Sequence, residues 1–284
     1  MPASFSWHPL TPAEGLDSVI RWQHCAAQWI SRAAVAFLPH LSDDSHTNMG
    51  WDSTHSALTG RLLPGVLPVS LQLDTLDLVL RIRDAAGVEQ EACWLPEYTD
   101  AEARAVLSQI LRPLGLNPDL LPDTLHYPLP PLPAEHGVYP EPDPEAARLW
   151  AALRHNAHGL IHEVIQAYPQ AAAPRIWPHH FDTGSYIPLR DGTRGVGIGL
   201  SIPDESSASP YFYVNCWAQE GRPDLSRLGW KGPGQVVSAG WSGLLLPLED
   251  LTALPAAEQA SQAAEFLEQG AAALCQAVEV MAQD

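Results

Sequence analysis

The chain has 284 residues, of which 46% are hydrophobic and 17% are charged, proportions typical of a protein that buries an apolar core. A chain of this length forms either one large domain or two smaller ones. Its net charge of -18, with Lys231 as the single lysine, argues against binding to nucleic acid or to an anionic membrane, because both require a basic surface.

The targeting and redox signals are those of an ordinary cytoplasmic protein. The first residues show no basic segment followed by an apolar run, and no stretch approaches the ~18 apolar residues of a membrane-spanning helix. We therefore expect a cytoplasmic location. The four cysteines lie far apart, so we expect buried small hydrophobic side chains instead of a zinc motif or a disulfide framework: Cys25, Cys93, Cys216 and Cys275.

The first half of the chain predicts a helix, several strands and a second helix. Thr11 and Glu14 form a capping box, which predicts a helix start there, and Pro39 marks the end of that helix. A second capping box, Thr99 with Glu102, predicts a helix through about residue 112. Alternating patterns between these helices predict four strands, at 55–63, 66–73, 76–83 and 88–95.

The second half repeats this order after a connector. Nine prolines between residues 117 and 144 exclude regular structure there, so 117–142 is predicted to be an extended connector. Asp143 is a helix cap ahead of Pro144, and the helix that it starts is predicted to run to about residue 167. Strands are predicted at 181–188, 195–202, 211–218, 235–239 and 243–247, followed by a helix at 256–281.

These patterns predict an α+β fold made of two tandem units, each a helix, an antiparallel β-meander and a helix. The first unit would comprise residues 1–116 and the second residues 143–284, packed against each other as an internal pseudo-dimer in one compact whole. Each first helix has an early tryptophan, Trp22 or Trp150, and each last strand ends in Leu-Pro before the final helix.

Several short motifs follow one another in a recognisable order: Asn48 and Trp51 before Leu58-Thr-Gly60, the strand pair 73–84 with Gly87, His136-x-x-Tyr139, the segment 143–150, Phe181-Asp182, Phe212-Tyr213 and Leu246-Pro247. In this order, which covers nearly the whole chain, the sequence resembles a bacterial family of uncharacterised proteins with a domain of unknown function. The chain departs from the family pattern at Trp177-Pro-His-His, where the family has a histidine, aromatic residues and Gly-Ser. The resemblance implies the duplicated fold, and it supplies no activity because none is assigned to the family.

The segment Trp177-Pro-His-His-Phe-Asp182 places two histidines and an aspartate between a proline and a predicted strand. If the strand begins near Phe181, alternation puts His180 and Asp182 on one face. Such a pair would hold a metal, or the carboxylate would orient the imidazole as a general base, so His180 and Asp182 are the catalytic candidates. The alternative that we favour is a turn at Pro178 with Phe181 in the core.

The helix after Asp143 has a stripe of three histidines, His155, His158 and His162, within an arc of roughly 60°. His158 and His162 have the i, i+4 spacing that can chelate a divalent metal. The candidate metal ligands are therefore His179, His180, Asp182, His158 and His162. Because the apolar positions of this helix cluster on another face, we favour an exposed polar stripe.

The segment Arg194-Gly-Val-Gly-Ile-Gly-Leu-Ser201 alternates glycine with apolar residues as a strand does, and no helix follows at once, so it is not a phosphate loop. It predicts a sheet face without side chains, approached by a helix or by a ligand. Aromatic residues are frequent around it and beside the glycine-rich loop 229–234. The candidate ligand-lining residues are Trp177, Tyr186, Tyr213, Trp217, Trp230 and Trp241.

Two functions remain open from the sequence. The one that we favour is a small-ligand-binding or interaction module with an aromatic-lined cleft. The alternative is a metal-dependent hydrolase that uses the residues at 179–182, with a divalent ion as cofactor.

Overall fold

A computed structural model describes residues 5–131, 133, 137–189, 192–219, 221, 223–225 and 228–280, so that His136 of the motifs above lies outside the described residues. The described residues form five α-helices and two antiparallel sheets, which confirms the α+β class. The helices are α1 (Leu16–Phe37), α2 (Asp100–Leu111), α3 (Pro144–Ile165), α4 (Leu248–Thr252) and α5 (Ala256–Val280). The pseudo-dimer stays a prediction.

The two sheets follow the predicted meanders. The first has the order β1-β2-β3-β4-β5, with β1 (Gly50–Asp52), β2 (Ala57–Thr59), β3 (Val69–Asp74), β4 (Val79–Asp84) and β5 (Glu89–Trp94). The second has the order β10-β11-β9-β8-β7-β6, with β6 (Arg175–Ile176), β7 (Thr183–Leu189), β8 (Arg194–Ser201), β9 (Tyr211–Ala218), β10 (Gln235–Val237) and β11 (Gly243–Pro247). The short β1, β6 and α4 have no counterpart among the predicted elements.

The chain divides into two compact units whose boundaries differ from the predicted 1–116 and 143–284. The amino-terminal unit comprises Ala13–Ala151 and Ile176–Phe181, and the carboxy-terminal unit comprises Met1–Pro12, Ala152–Arg175 and Asp182–Asp284. The proline-rich connector therefore belongs to the amino-terminal unit. The first twelve residues belong to the carboxy-terminal unit.

Two buried amide side chains explain why the first residues belong to the carboxy-terminal unit. Asn156 accepts a hydrogen bond from the backbone N–H of His8 and donates one to its carbonyl, each 2.8 Å long. Gln259 of α5 does the same for Leu10, at 2.8 and 2.9 Å. Each amide thus pairs with an extended backbone as a neighbouring strand would, and the pairing satisfies polar groups that burial would otherwise leave without partners.

Two of the three predicted helix caps are confirmed. The Thr99 hydroxyl accepts from the Glu102 backbone N–H and the Glu102 carboxylate accepts from that of Thr99, so the capping box forms. The Asp143 carboxylate accepts from the backbone N–H groups of residues 145 and 146. The prediction of a helix start at Thr11 is wrong, because Gly15 has a φ of 76° and ends the preceding turn, so that α1 begins at Leu16.

In the carboxy-terminal unit α5 packs on β8, β9 and β11 and covers one face of the second sheet. That face contains the apolar residues that alternate with the glycines of β8, together with the apolar residues of β9 that pair with them. All are buried: Val196, Ile198, Leu200, Phe212 and Val214. Alternation along β8 then places Gly195, Gly197 and Gly199 on the opposite face.

The glycines of β8 make room for side chains of the adjacent strands. A Cβ atom at Gly195 would meet the Tyr186 ring, and one at Gly197 would meet the Asn215 amide. At Gly199 it would lie 2.5 Å from Cζ of Tyr213. The predicted bare sheet face exists, and the atoms nearest to a Cβ at each of these glycines belong to β7 and β9.

We expect Gly199→Ala to destabilise the protein by about 1–3 kcal/mol, because the new methyl group would also lie 2.6 Å from the backbone oxygen of Thr183, which cannot rotate away. Gly197→Ala is the matched control. Its methyl group meets only the end of the Asn215 side chain, so we expect a clearly smaller effect. Urea denaturation of both variants measures the difference, and equal losses of stability would contradict this packing.

Among the described residues, none of the helices combines the length and the apolar composition that crossing a membrane requires.

Candidate functional site

The segment 177–181 forms a turn and is not the start of a strand. The Phe181 backbone N–H donates to the Trp177 carbonyl at 2.7 Å, Phe181 has a φ of 55°, and β7 begins only at Thr183. The expectation that His180 and Asp182 share one strand face is therefore wrong. The favoured alternative is confirmed, because Phe181 is fully buried and the turn lies at Pro178.

Buried polar groups of α1 hold this turn in the amino-terminal unit. The Pro178 carbonyl accepts from Nε2 of His24 at 2.7 Å and from Nε2 of Gln28 at 3.0 Å. The His24 ring stacks on Phe181, with centroids 4.7 Å apart and planes within 5°. Ile176, just before the turn, exchanges two backbone hydrogen bonds of 2.9 Å with Met49. A left-handed backbone conformation is energetically unfavourable for phenylalanine, and these contacts stabilise it.

The turn contributes to a group of imidazoles that we call the histidine cluster, which consists of His40, His46, His126, His179 and His180. Its rings come from three separate stretches of the chain. The rings of His179 and His180 lie 4.4 Å apart, and Tyr127 lies 5.7 Å from His179 and 5.0 Å from His126. Asp44 accepts from Nε2 of His126 at 2.9 Å.

The histidine cluster favours neutral imidazoles in its interior. Burial first, and then the neighbouring His180, lower the pKa of His179 to about 4, although Asp44 acts in the opposite direction. Burial also lowers the pKa of His46, which is 5% exposed. A neutral imidazole supplies one donor and one acceptor, so His46 and His179 can each take part in hydrogen bonds in both roles.

Asp182 serves a buried network in the carboxy-terminal unit. The Tyr213 hydroxyl donates to Oδ2 of Asp182 at 2.6 Å, and Arg154 of α3 donates to the Thr183 hydroxyl at 2.8 Å. Arg154 is fully buried, which lowers its pKa to about 9, while the Asp182 carboxylate acts to raise it. Arg154 is thus charged at neutral pH, and Asp182 is the counter-ion that its burial requires.

Arg154 is a site residue that no sequence pattern predicted. It lies between Leu153 and the stripe residue His155 on a helix whose polar side chains were expected to be exposed. A single arginine on an amphipathic helix gives no sign of burial. The signal that was available is the scarcity of cations, because only 15 lysines and arginines stand against 33 acidic residues and each of them is a candidate for a specific role.

The helix histidines do not form a common ligand set. His155 stacks on His8 at 4.1 Å and bonds to the Ser6 carbonyl at 3.0 Å, so that it holds the amino-terminal segment. His158 is partly buried, and burial together with its neighbours His162 and Arg175 lowers its pKa to about 4. A guanidinium beside an imidazole opposes a bound cation. His162 is exposed, as predicted for the stripe.

Among the described residues, which include all five metal candidates, no three histidine, cysteine, aspartate or glutamate side chains are placed to hold a metal ion together. The hydrolase that would use the 179–182 segment stays a prediction without a described ligand set behind it.

Three of the candidate ligand-lining residues share one surface, the glycine side of the second sheet, which we call the aromatic face: Tyr186, Tyr213 and Trp217, with Asn215. The Tyr186 and Trp217 rings have centroids 6.1 Å apart and stand at 83°. Trp217 is 47% exposed. The Tyr186 hydroxyl is buried and has no hydrogen-bond partner among the described residues. Burial and Asp182 raise the pKa of Tyr213 well above its usual value, so its hydroxyl stays a donor.

The other three aromatic candidates lie elsewhere. Trp241 stacks against Tyr211 at 6.4 Å and donates to the Ser206 hydroxyl, so it adjoins the aromatic face. Trp230 has its ring 6.5 Å from the buried Phe266 of α5 and donates to the Pro233 carbonyl, which is a structural role. Trp177 belongs to the turn and has its ring 6.0 Å from that of His179.

No protein-family model matches the chain, and neither a curated protein nor a solved structure is significantly similar to it. The resemblance to a bacterial family stays a prediction.

The pKa values of the histidine cluster predict a loss of stability in mild acid. His179 binds a proton less readily in the folded than in the unfolded chain, so folding becomes less favourable as the pH falls below about 6.5, until the folded pKa near 4 is reached. Solvent screens this partly exposed ring, so we expect its share to be on the order of 1 kcal/mol. In His179→Gln the drop in melting temperature between pH 7 and pH 5 should be smaller.

His55→Gln is the control for this measurement. His55 is an exposed histidine of the same unit, paired with Asp52 on the surface. A surface ion pair contributes little, so this variant should follow the wild-type pH dependence. If His55→Gln and His179→Gln reduce the acid sensitivity equally, the cluster is not its source.

Proposed function

We propose that this protein binds a small planar organic molecule on the aromatic face of its carboxy-terminal unit. The observation that carries the proposal is the corner formed by Tyr186 and Trp217, two rings at 83° beside a strand whose glycines have no side chains. A planar ligand that stacks on one ring of such a corner meets the edge of the other, and both arrangements are favourable for aromatic groups. Ligand sites commonly combine such apolar walls with a few polar groups.

The polar groups of the aromatic face favour an uncharged ligand with a hydrogen-bonding edge. The Tyr186 hydroxyl has no partner among the described residues, and leaving it unpaired costs about 1–3 kcal/mol. Because this hydroxyl is buried, a ligand meets the Tyr186 ring and not the hydroxyl. The Asn215 amide lies on the same face, over Gly197, and offers both a donor and an acceptor.

A binding role suits this face better than catalysis. Its carboxylate, Asp182, accepts from the Tyr213 hydroxyl and offsets the charge of Arg154, so it is engaged in a structural network. The Tyr213 hydroxyl has its pKa raised, which is opposite to what a general base or a nucleophile requires. Stacking and hydrogen bonding are what the remaining side chains provide.

The thiols support a reducing location such as the cytoplasm. Burial raises the pKa of Cys93 and Cys275 to about 11 and that of Cys216 to about 12, so these side chains stay protonated and poorly reactive. Each is a cysteine that is not in a disulfide. Cys93 is buried as predicted, whereas Cys216 and Cys275 are half-buried, and unpaired thiols suit a compartment in which disulfides are rare.

The proposal predicts that Trp217→Ala weakens binding of a planar neutral ligand roughly tenfold, because stacking on one aromatic side chain contributes ~1–3 kcal/mol. A panel of neutral heteroaromatic amides, such as nicotinamide and quinazolin-4-one, serves as the probe in ligand-observed NMR, followed by titration of the members that bind. The control is Trp94→Ala, since Trp94 is a similarly exposed tryptophan, at 50%, in the amino-terminal unit. Equal loss in both variants, or no binding member in the panel, would contradict the proposal.

Tyr186→Phe removes only the hydroxyl and keeps the ring. Because the hydroxyl has no partner among the described residues, its removal should leave the free energy of unfolding unchanged or slightly higher. The hydroxyl is buried and the stacking ring is retained, so affinity for the panel members should change by less than about twofold. A large loss of affinity would contradict binding by stacking on the aromatic rings.

A further inference from the structure

A pocket lies in the amino-terminal unit, between the first turns of α1 and the segment just before α3. Its volume is about 200 Å³. An apolar cavity of about 150 Å³ holds benzene, so a pocket of this volume holds a compound of roughly seven non-hydrogen atoms. It suits small metabolite-like molecules.

The walls of this pocket are apolar on one side. Trp22, Val19 and Leu78 line it together with Pro140 and Pro142. Trp22 is partly exposed, and its ring lies 5.2 Å from that of Tyr139, which is buried and fixes its position. An indole ring can contact either a hydrocarbon group or a cation.

The polar groups of the pocket are mainly acceptors. Glu141 and Asp143 line it, and no lysine, arginine or histidine is among the described residues that line it. Gln23 also lines it, is fully buried, and donates through Nε2 to the Thr75 carbonyl at 2.7 Å. Its side-chain oxygen, the remaining acceptor, has no hydrogen-bond partner among the described residues.

The N-terminus of α1 favours an anion in the pocket, but its partial charge is smaller than the charge of the two carboxylates. Gly15 caps α1 without a side-chain hydrogen bond, so the helix N-terminus offers N–H donors there. A helix end carries a partial charge of about +0.5, whereas Glu141 and Asp143 bring two full negative charges. Asp143 also caps α3 through its Oδ1. The net potential of the pocket is therefore negative.

We propose that this pocket binds a small primary ammonium compound with an apolar ring or chain, with the ammonium between Glu141, Asp143 and the side-chain oxygen of Gln23 and the hydrocarbon part against Trp22 and Leu78. An ammonium has three donors and no acceptor, which matches a set of three acceptors. The site is separate from the aromatic face and its occupation does not depend on the function proposed for that face.

Cyclohexylamine is the probe for this site. It has seven non-hydrogen atoms and is protonated at pH 7, as an alkylamine such as the lysine side chain is. Cyclohexanol has the same size and no charge. Titration of the full-length protein by calorimetry or NMR at low ionic strength should give an affinity for cyclohexylamine at least tenfold higher than for cyclohexanol. Equal affinity for the two compounds would overturn the proposal.

Variants locate the site. Glu141→Gln should weaken cyclohexylamine binding about two- to fivefold, because the carboxylate is exposed and partly screened. Adding Asp143→Asn should weaken it further while α3 keeps its cap, since asparagine caps helices as well as aspartate. The matched control is Glu145→Gln, which removes an exposed carboxylate from the first turn of α3 outside the pocket. An equal effect of Glu145→Gln would mean non-specific attraction by the acidic protein and would refute the site.

Different variants test the aromatic face and the pocket at α1, so the failure of one proposal can be told from the failure of the other. Trp217→Ala should leave cyclohexylamine binding unchanged, and the double variant Glu141→Gln/Asp143→Asn should leave binding of the heteroaromatic panel unchanged. If Trp217→Ala weakens cyclohexylamine binding instead, the amine occupies the aromatic face and the inference about the α1 pocket is wrong.

Discussion

The buried guanidinium of Arg154 is the constraint on which the geometry of the carboxy-terminal unit depends. A charge that is removed from water costs several kcal/mol unless partners compensate for it, and α3 places this one at a fully buried position. Thr183 accepts one of its hydrogen bonds and Asp182 provides the opposite charge. Asp182 in turn accepts from Tyr213, so a helix residue fixes a side chain on β9 through a residue just ahead of β7.

The aromatic face follows from that network and from the glycines of β8. Tyr213 can reach Asp182 because Gly199 and Gly184 leave the path of its ring clear, and a Cβ atom at either would lie within 2.6 Å of the tyrosine. The same absence of side chains lets Tyr186 lie over Gly195 and stand against Trp217. The rings are thereby held before any ligand arrives, and such preorganisation lowers the entropic cost of binding.

Local signals in the sequence predicted four of the five α-helices of the described residues and most strands, because caps, prolines and alternation act over a few residues. Thr99, Asp143 and the strand at 211–218 are examples. The turn at 177–181 and the histidine cluster depend instead on contacts between distant segments: His126 and His179 are 53 positions apart in the sequence, and Pro178 is bound by α1. Alternation misplaced His180 and Asp182 because Phe181 adopts a left-handed conformation that only tertiary contacts sustain.

Fluorine NMR of the protein with all ten tryptophans replaced by 5-fluorotryptophan shows directly whether the aromatic face binds a planar ligand. Resonances of Trp217, Trp22 and Trp94 are assigned with single tryptophan-to-phenylalanine variants, and the heteroaromatic panel is then added. We expect the Trp217 resonance to shift with saturation while those of Trp22 and Trp94 do not. A panel that leaves Trp217 unmoved, or that shifts all three resonances alike, would contradict binding at the aromatic face.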